Sequence, residues 1–172
     1  MAGRQGEIAL STSGFTIRPG EVQDMEHITE LLTELNRFEG YDRSASAQDL
    51  SDILFHENNT RLEMRTLLAC DGDQPIGLVL FYWGYDTVSA TTGYHLADII
   101  VTSTYRGQGV GRVLYHALAN QCLHEGGHWV SLTVLKKNTA AKAFYASLGM
   151  VEVAVDFYAI GPQALKALTI AK

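Results

Sequence analysis

Twelve consecutive residues carry the clearest chemical signal in this chain: Val101-Thr102-Ser103-Thr104-Tyr105-Arg106-Gly107-Gln108-Gly109-Val110-Gly111-Arg112. They follow the apolar pair Ile99-Ile100 and lead into Val113, Leu114, Ala117, Leu118 and Cys122, whose spacing is that of one helix face. A buried strand thus runs through a glycine-rich turn into an amphipathic helix. Glycine allows close backbone approach and positive φ. The unsatisfied amides of a helix start point outward and attract anions. A diphosphate is the natural ligand of such a turn, and Arg106 adds a cation to it.

Two other phosphate loops do not fit. The dinucleotide spacing G-x-G-x-x-G counted from Gly107 and Gly109 ends on Arg112, and counted from Gly109 and Gly111 it ends on Leu114. A P-loop needs Gly-Lys-Ser/Thr, and the chain has none. His124-Glu125-Gly126-Gly127-His128 matches the zinc-protease pattern H-E-x-x-H by letter. That chemistry needs both histidines on one continuous helix face. Gly126 and Gly127 break the helix inside the motif, so no metal is expected.

The elements around the loop follow from periodicity. Phe15 to Arg18 reads as a short strand stopped by Pro19-Gly20. Met25, Ile28, Leu31, Leu32 and Leu35 place a helix over Glu21 to Phe38. Ser46 followed by Asp49 is a capping pattern and predicts a second helix to about His56, burying Leu50, Ile53 and Leu54, with Asn58-Asn59 as breaker. Strands are expected over Met64–Cys70, Pro75–Trp83 and Tyr94–Val101, the first two joined at Asp71-Gly72-Asp73. The helix from Val110 should end at Gly126-Gly127, and Trp129 to Leu135 alternates as a strand. Asn138 can cap a short helix that stops at Gly149. Met150 to Ile160 is strand-like, and Pro162 to Leu168 suits a last helical turn or two. The expectation is a mixed α/β domain with one main sheet, spanning 15–172 behind a flexible tail, 1–14.

Composition bounds the function classes. The 172 residues are 47% hydrophobic and 19% charged, a globular profile. With 13 Lys+Arg against 19 Asp+Glu the formal net charge is −6, which argues against a nucleic-acid partner. The two cysteines, Cys70 and Cys122, form no disulfide framework or Cys-x-x-Cys pair. Residues 1–14 contain no apolar run of signal-peptide type, and no stretch reaches the roughly 18 apolar residues of a membrane helix. A cytoplasmic, reducing setting and no membrane partner are expected.

Arg106-x-x-Gly109-x-Gly111 after a strand resembles the coenzyme A pyrophosphate loop of the GNAT superfamily of N-acetyltransferases. Asn138, Phe144-Tyr145 and Leu148-Gly149 resemble that family's downstream segment, and the element order from Phe15 to Ile160 fits its plan. Asp98 to Gly111 and Phe157 to Leu168 look most like the diamine (spermidine/spermine) acetyltransferases. The resemblance implies a mostly antiparallel sheet flanked by helices, with a splayed strand pair that takes acetyl-CoA. It implies transfer of acetyl from acetyl-CoA to a primary amine by direct attack, and it leaves room for a homodimer.

The family's site residues carry over position by position. Ile99 and Val101 on the strand, Arg106, Gly107, Gln108, Gly109, Val110, Gly111 and Arg112 on the loop, and Asn138 and Lys142 downstream are the candidates for acetyl-CoA. A backbone N–H near Val101 would serve the oxyanion. Tyr145 stands at the position of the general acid that protonates the leaving thiolate; the bland alternative is a core aromatic. The diamine enzymes carry a glutamate before the aspartate of this strand, whereas this chain has Ala97 before Asp98. Asp98 is then either the base or a buried structural carboxylate. Glu39, Tyr41 and Asp42 fall between the first two helices, where the family builds its acceptor pocket. Tyr82, Trp83 and Tyr85 offer a cation–π surface. The expected acceptor is a small diamine, polyamine or lysine-like amino acid. A protein lysine or N-terminal amine, or a non-catalytic acyl-CoA-binding module of the same fold, are the alternatives.

Overall fold

The computed structural model describes residues 10–12, 14–42, 44–55 and 63–168. The chain falls into two compact units, Met1–Thr133 and Val134–Lys172. The first contains the strands β1 (Leu10–Thr12), β2 (Phe15–Pro19), β3 (Arg65–Asp71), β4 (Gln74–Asp86), β5 (Thr91–Val101) and β6 (Val130–Leu132). It also contains the helices α1 (Met25–Glu39), α2 (Ala47–Leu54) and α3 (Val110–His124). The six strands form one sheet in sequence order, with every neighbour antiparallel except β5 and β6, which run parallel. This is the mixed α/β, mostly antiparallel sheet with flanking helices that the element order predicts. Part of the expected tail, Leu10–Thr12, is an edge strand paired with β2.

Two apolar layers hold the helices on opposite faces of the sheet. Strand residues alternate between faces, so Val79 and Phe81 join Val110, Leu114, Ala117 and Leu118 of α3, while Leu78 and Leu80 join Ile28, Leu31, Leu32 and Leu35 of α1. Ile99 packs on the first cluster and Ile100 belongs to the second, as the unbroken apolar run of β5 requires. α1 buries all five of the residues expected of it and ends at Gly40, whose φ of 90° is left-handed. α2 starts on the expected Ser46–Asp49 capping box. Leu50 and Leu54 pack against the α1 cluster, but Ile53 is largely exposed, because an eight-residue helix on the periphery has a narrow buried stripe. The breaker Asn58-Asn59 lies outside the described residues.

A bulge divides β5. Leu80 pairs with Asp98 and Phe81 with Leu96, so Ala97 is the extra residue. The parallel pairing of β6 stops one residue earlier, at Leu96 opposite Leu132. From Ala97 to Val101, β5 has no strand neighbour on its β6 side among the described residues. The bulge falls next to the last residue of β5 that pairs with β6.

The second unit contains α4 (Thr139–Ser147) and α5 (Pro162–Leu168). Asn138 caps α4 by accepting from the Ala141 amide at 3.1 Å, and Gly149, with φ 84°, follows its end. Met150 to Ile160, expected as a strand, is not one. It makes no ladder among the described residues, and Val151, Val153, Val155 and Phe157 are exposed. Alternation gives a segment the faces of a strand, but a strand forms only against an available edge. No helix of the described residues is long and apolar enough to cross a membrane.

Candidate active site

The glycine-rich turn has the geometry its composition demands. After β5 a single 3-10 turn, Ser103–Tyr105, leads to Arg106 in extended conformation. Gly107 and Gly109 then take φ of 77° and 87°, conformations that disfavour any side chain, and α3 begins at Val110. A Cβ on either glycine would meet nothing within 4 Å, so the turn borders open space. Among the described residues, the amides of Gly107, Gln108 and Gly109 donate to no backbone acceptor. The first-turn amides of α3, on Val110 and Gly111, have no intrahelical acceptor. These residues fit a diphosphate: a run of amides beside open space at the positive end of a helix dipole.

The cations expected to help are arranged differently from one another. Arg106 turns toward α1: its Nη2 donates to Glu34 Oε1 at 2.8 Å and its Nε to the Val101 carbonyl at 2.9 Å, with the guanidinium 5.3 Å from the Phe38 ring centre. Arg112 is exposed on the first turn of α3. Lys142, in the second unit, pairs with Glu152 at 2.9 Å. Asn138 spends its carbonyl oxygen on the α4 cap. Tyr145 lies on α4, half-buried, with its ring 5.4 Å from Phe144.

On the α1 face of the sheet a cavity of about 210 Å³ opens between α1, α2, β4 and β5. Thr29, Thr33 and Asn36 give it a polar edge, Leu50 and Leu54 an apolar wall, and Asp98 a carboxylate. Asp98 is the one charged side chain among the described residues that line it. The bulge at Ala97 puts Asp98 opposite Leu80, which also lines the cavity. Burial, and then the negative charge of Glu39, push the Asp98 carboxyl above the usual carboxylate range. No hydrogen bond from a described residue reaches that carboxylate.

The other acceptor candidates separate. Glu39, at the end of α1, is near enough for Asp98 to feel its charge. Tyr41 and Asp42 are exposed on the segment after α1. Trp83 packs against Tyr94, ring centres 4.6 Å apart, in the α3 cluster on the other face of the sheet from the cavity. Tyr82 is on the opposite parity and lies against His95, ring centres 5.1 Å apart. An aromatic box of Tyr82 and Trp83 is therefore excluded by strand alternation. Sequence reasoning missed Thr29, Thr33 and Asn36. Their signal is a polar i, i+4, i+7 row on α1 beside the buried stripe.

His124 ends α3 and Gly126 turns the chain at φ 84°, so His124 and His128 share no helix face. Glu125 is instead held by Arg65 at 2.6 Å and by the Tyr94 hydroxyl, and Arg65 keeps its carboxyl down at about 2. Among the described residues no group of three or more His, Cys, Asp or Glu is placed to hold a metal.

Residues 26–150 match the model of the Acetyltransferase (GNAT) family. Among curated proteins, L-ornithine N5-acetyltransferase NATA1 of Arabidopsis thaliana is 34% identical over 73 residues, 42% of this chain and 32% of that protein. Thialysine N-epsilon-acetyltransferase of Bos taurus is 36% identical over 74 residues, 43% of each chain. The matched stretches thus span less than half the length of these two relatives. The Mus musculus thialysine enzyme is 29% identical over 140 residues, 77% of this chain and 82% of that one. Among solved structures, the integron cassette protein VCH_CASS6 from the mobile metagenome of V. cholerae superposes with a TM-score of 0.78 at 21% identity, covering 93% of this chain and all of that one. The aminoglycoside acetyltransferase meta-AAC0020 from an uncultured soil metagenomic sample gives 0.71 at 20% identity, covering 86% and 96%.

Proposed function

The chain belongs to the Acetyltransferase (GNAT) family, and within it we propose an enzyme that moves the acetyl group of acetyl-CoA to a small primary amine bearing a second positive charge: a diamine, a polyamine or a lysine-like amino acid. The observation that carries this reading is the small cavity with one carboxylate, Asp98, on the strand that leads into the glycine turn. About 210 Å³ suits the end of an amine chain rather than a folded partner. Glu39 adds a second negative charge close by, which suits a second ammonium. The names of the matched relatives, acting on ornithine N5 and on thialysine Nε, point to the same chemistry.

Acetyl-CoA supplies an activated thioester, and the residues of this chain supply the rest. An alkylammonium has a pKa near ~10.4 by analogy with lysine, so it must lose a proton before it attacks. Asp98, with its raised pKa and no hydrogen bond from a described residue, takes that proton directly or through water. The amine nitrogen then bonds the acetyl carbon and the carbon–sulfur bond breaks. A backbone N–H of β5 near Val101 stabilises the negative charge on the thioester oxygen. Tyr145 gives a proton to the sulfur, so coenzyme A leaves as a thiol, and the second proton of the nitrogen, released as the amide forms, restores the tyrosine through solvent. A thiol-release assay with diamines, lysine, ornithine and monoamines of equal length tests the reading. Diamines and lysine analogues should be used with the lower KM. Acetylation of neutral or anionic amines alone would refute the acceptor class. Absence of turnover with every amine, alongside intact coenzyme A binding, would point to the non-catalytic module.

The Asp98 shift gives a second expected result. A raised pKa means that the folded state binds this proton more tightly than the unfolded chain. Stability therefore falls as pH rises from the ordinary carboxylate value, about 3.9, through the raised one. Asp98→Asn removes the penalty. Its Tm should exceed that of the wild type at pH 7, with the gap closing below about pH 4. Its kcat should fall by about 10²-fold or more, and the rise of wild-type kcat/KM with pH through the Asp98 ionisation should disappear. A variant with unchanged kcat and pH profile makes Asp98 a structural carboxylate.

A further inference from the structure

One carboxylate of α1 reaches the entrance of the glycine turn. Glu34 Oε1 accepts from the Ser103 amide at 3.1 Å and from Arg106 Nη2 at 2.8 Å, and Glu34 Oε2 accepts from Thr102 Oγ1 at 3.1 Å. One turn further along the helix, the Phe38 ring lies under the Arg106 guanidinium, and Arg106 Nε closes the arrangement on the Val101 carbonyl. Thr102, Ser103 and Arg106 are three of the five residues between β5 and Gly107. Thr33 and Asn36, which flank Glu34 on α1, line the Asp98 cavity. A single helix thus forms one wall of the cavity and holds the root of the glycine turn. An exposed ion pair alone would be weak. Three donors converging on one carboxylate, from a backbone amide, a hydroxyl and a guanidinium, fix its geometry far better than charge alone.

We propose that Glu34 is a positioning residue that couples the acceptor cavity to the pyrophosphate turn, so that filling the turn orders the α1 wall of the cavity. Glu34 touches neither substrate. It sets the direction in which the chain enters Gly107 and ties that direction to the positions of Thr33 and Asn36. The proposal rests on the reading that residues 107–112 hold coenzyme A. It also gives Arg106 a role other than that of a phosphate ligand: its guanidinium serves α1, and the turn binds through its amides. Ligand binding at one end then changes the stability of the other by ordinary thermodynamic linkage.

Hydrogen exchange with saturating coenzyme A as the probe tests this without knowledge of the acceptor. In the wild type, coenzyme A should slow exchange at 107–112 and also across 32–39, the latter by about 5-fold or more, the low end of usual site-to-site coupling. In Glu34→Gln the slowing at 107–112 should persist while 32–39 exchanges as in the ligand-free protein. Arg106→Gln, which cuts the same link from the other side, should give the same split. The double variant should be no worse than either single one, whereas two independent local destabilisations would add. The coupling is refuted if 32–39 does not respond in the wild type, or responds equally in both variants. A wild type that binds no coenzyme A overturns the turn's assignment and the coupling with it, which separates the two failures.

Discussion

Gly109→Asp should weaken coenzyme A binding by about 10²-fold or more while leaving the fold intact. Gly109 holds φ at 87° at the start of α3, with nothing within 4 Å of the position a Cβ would take. The first atom of the new side chain therefore meets no protein atom. The substitution acts in two other ways. A non-glycine residue in this left-handed region costs roughly 1–2 kcal/mol. More importantly, the carboxylate occupies the space where the diphosphate would meet the amides, and it is itself an anion suited to a helix N-terminus. The variant carries its own competitor for the site. Two phosphate groups facing a fixed negative charge in partly desolvated surroundings lose several kcal/mol, so affinity should drop by about 10²-fold or more. Gly109→Ala separates the two causes, because it adds the backbone strain without the charge and should weaken binding far less. Calorimetry with coenzyme A, beside a circular dichroism spectrum that matches the wild type, checks both. Unchanged affinity in folded Gly109→Asp would show that the turn does not hold the pyrophosphate.

Tyr145→Phe should lower kcat by ~10²–10⁴-fold with little change in acetyl-CoA affinity. The substitution keeps the ring that packs beside Phe144 on α4 and removes only the hydroxyl. Within the proposed reaction the departing thiolate needs a proton at the moment the carbon–sulfur bond breaks. Loss of a group that acts only there lowers kcat and kcat/KM together. The loss should shrink with an acyl donor whose thiol is more acidic, since such a leaving group needs less protonation. A purely structural tyrosine would show no such dependence. Wild-type kcat in Tyr145→Phe returns the residue to the packing role that its neighbour Phe144 suggests.

Much of the fold was legible because its signals are local. The buried stripes of α1 and α3 recur at helical spacing; the structure buries all five residues named on α1 and, on α3, Leu114, Ala117, Leu118 and Cys122, with Val113 only partly buried. The Ser46–Asp49 box, the Asn138 cap and the glycines at 40, 72, 126 and 149 fix element ends within a few residues of sequence. The glycine turn is local in the same sense. Its positive φ angles and helix-start amides follow from Gly107, Gly109 and Val110 alone.

What only the tertiary structure decided depends on which distant strand or helix lies opposite. Trp83 looked like an acceptor contact, but strand register turns it to the α3 face with Tyr94. The extra residue at Ala97 brings Asp98 opposite Leu80 into the cavity, and a bulge exists only relative to a partner strand. The alternation of Val151 to Phe157 promised a strand, yet the pattern supplies faces and not an edge to pair with. Arg106 was read as a phosphate ligand from its place in the motif, whereas Glu34, 72 positions away in the chain, claims its guanidinium. The sequence by itself determined the helix faces, the caps and a glycine turn at a helix start, because backbone propensity and periodicity act over one or two turns. The side of the sheet on which the cavity opens, its lining by Thr29, Thr33, Asn36 and Asp98, and the tie from α1 to the turn came from folding, because those are relations between residues that register and packing bring together across the sheet.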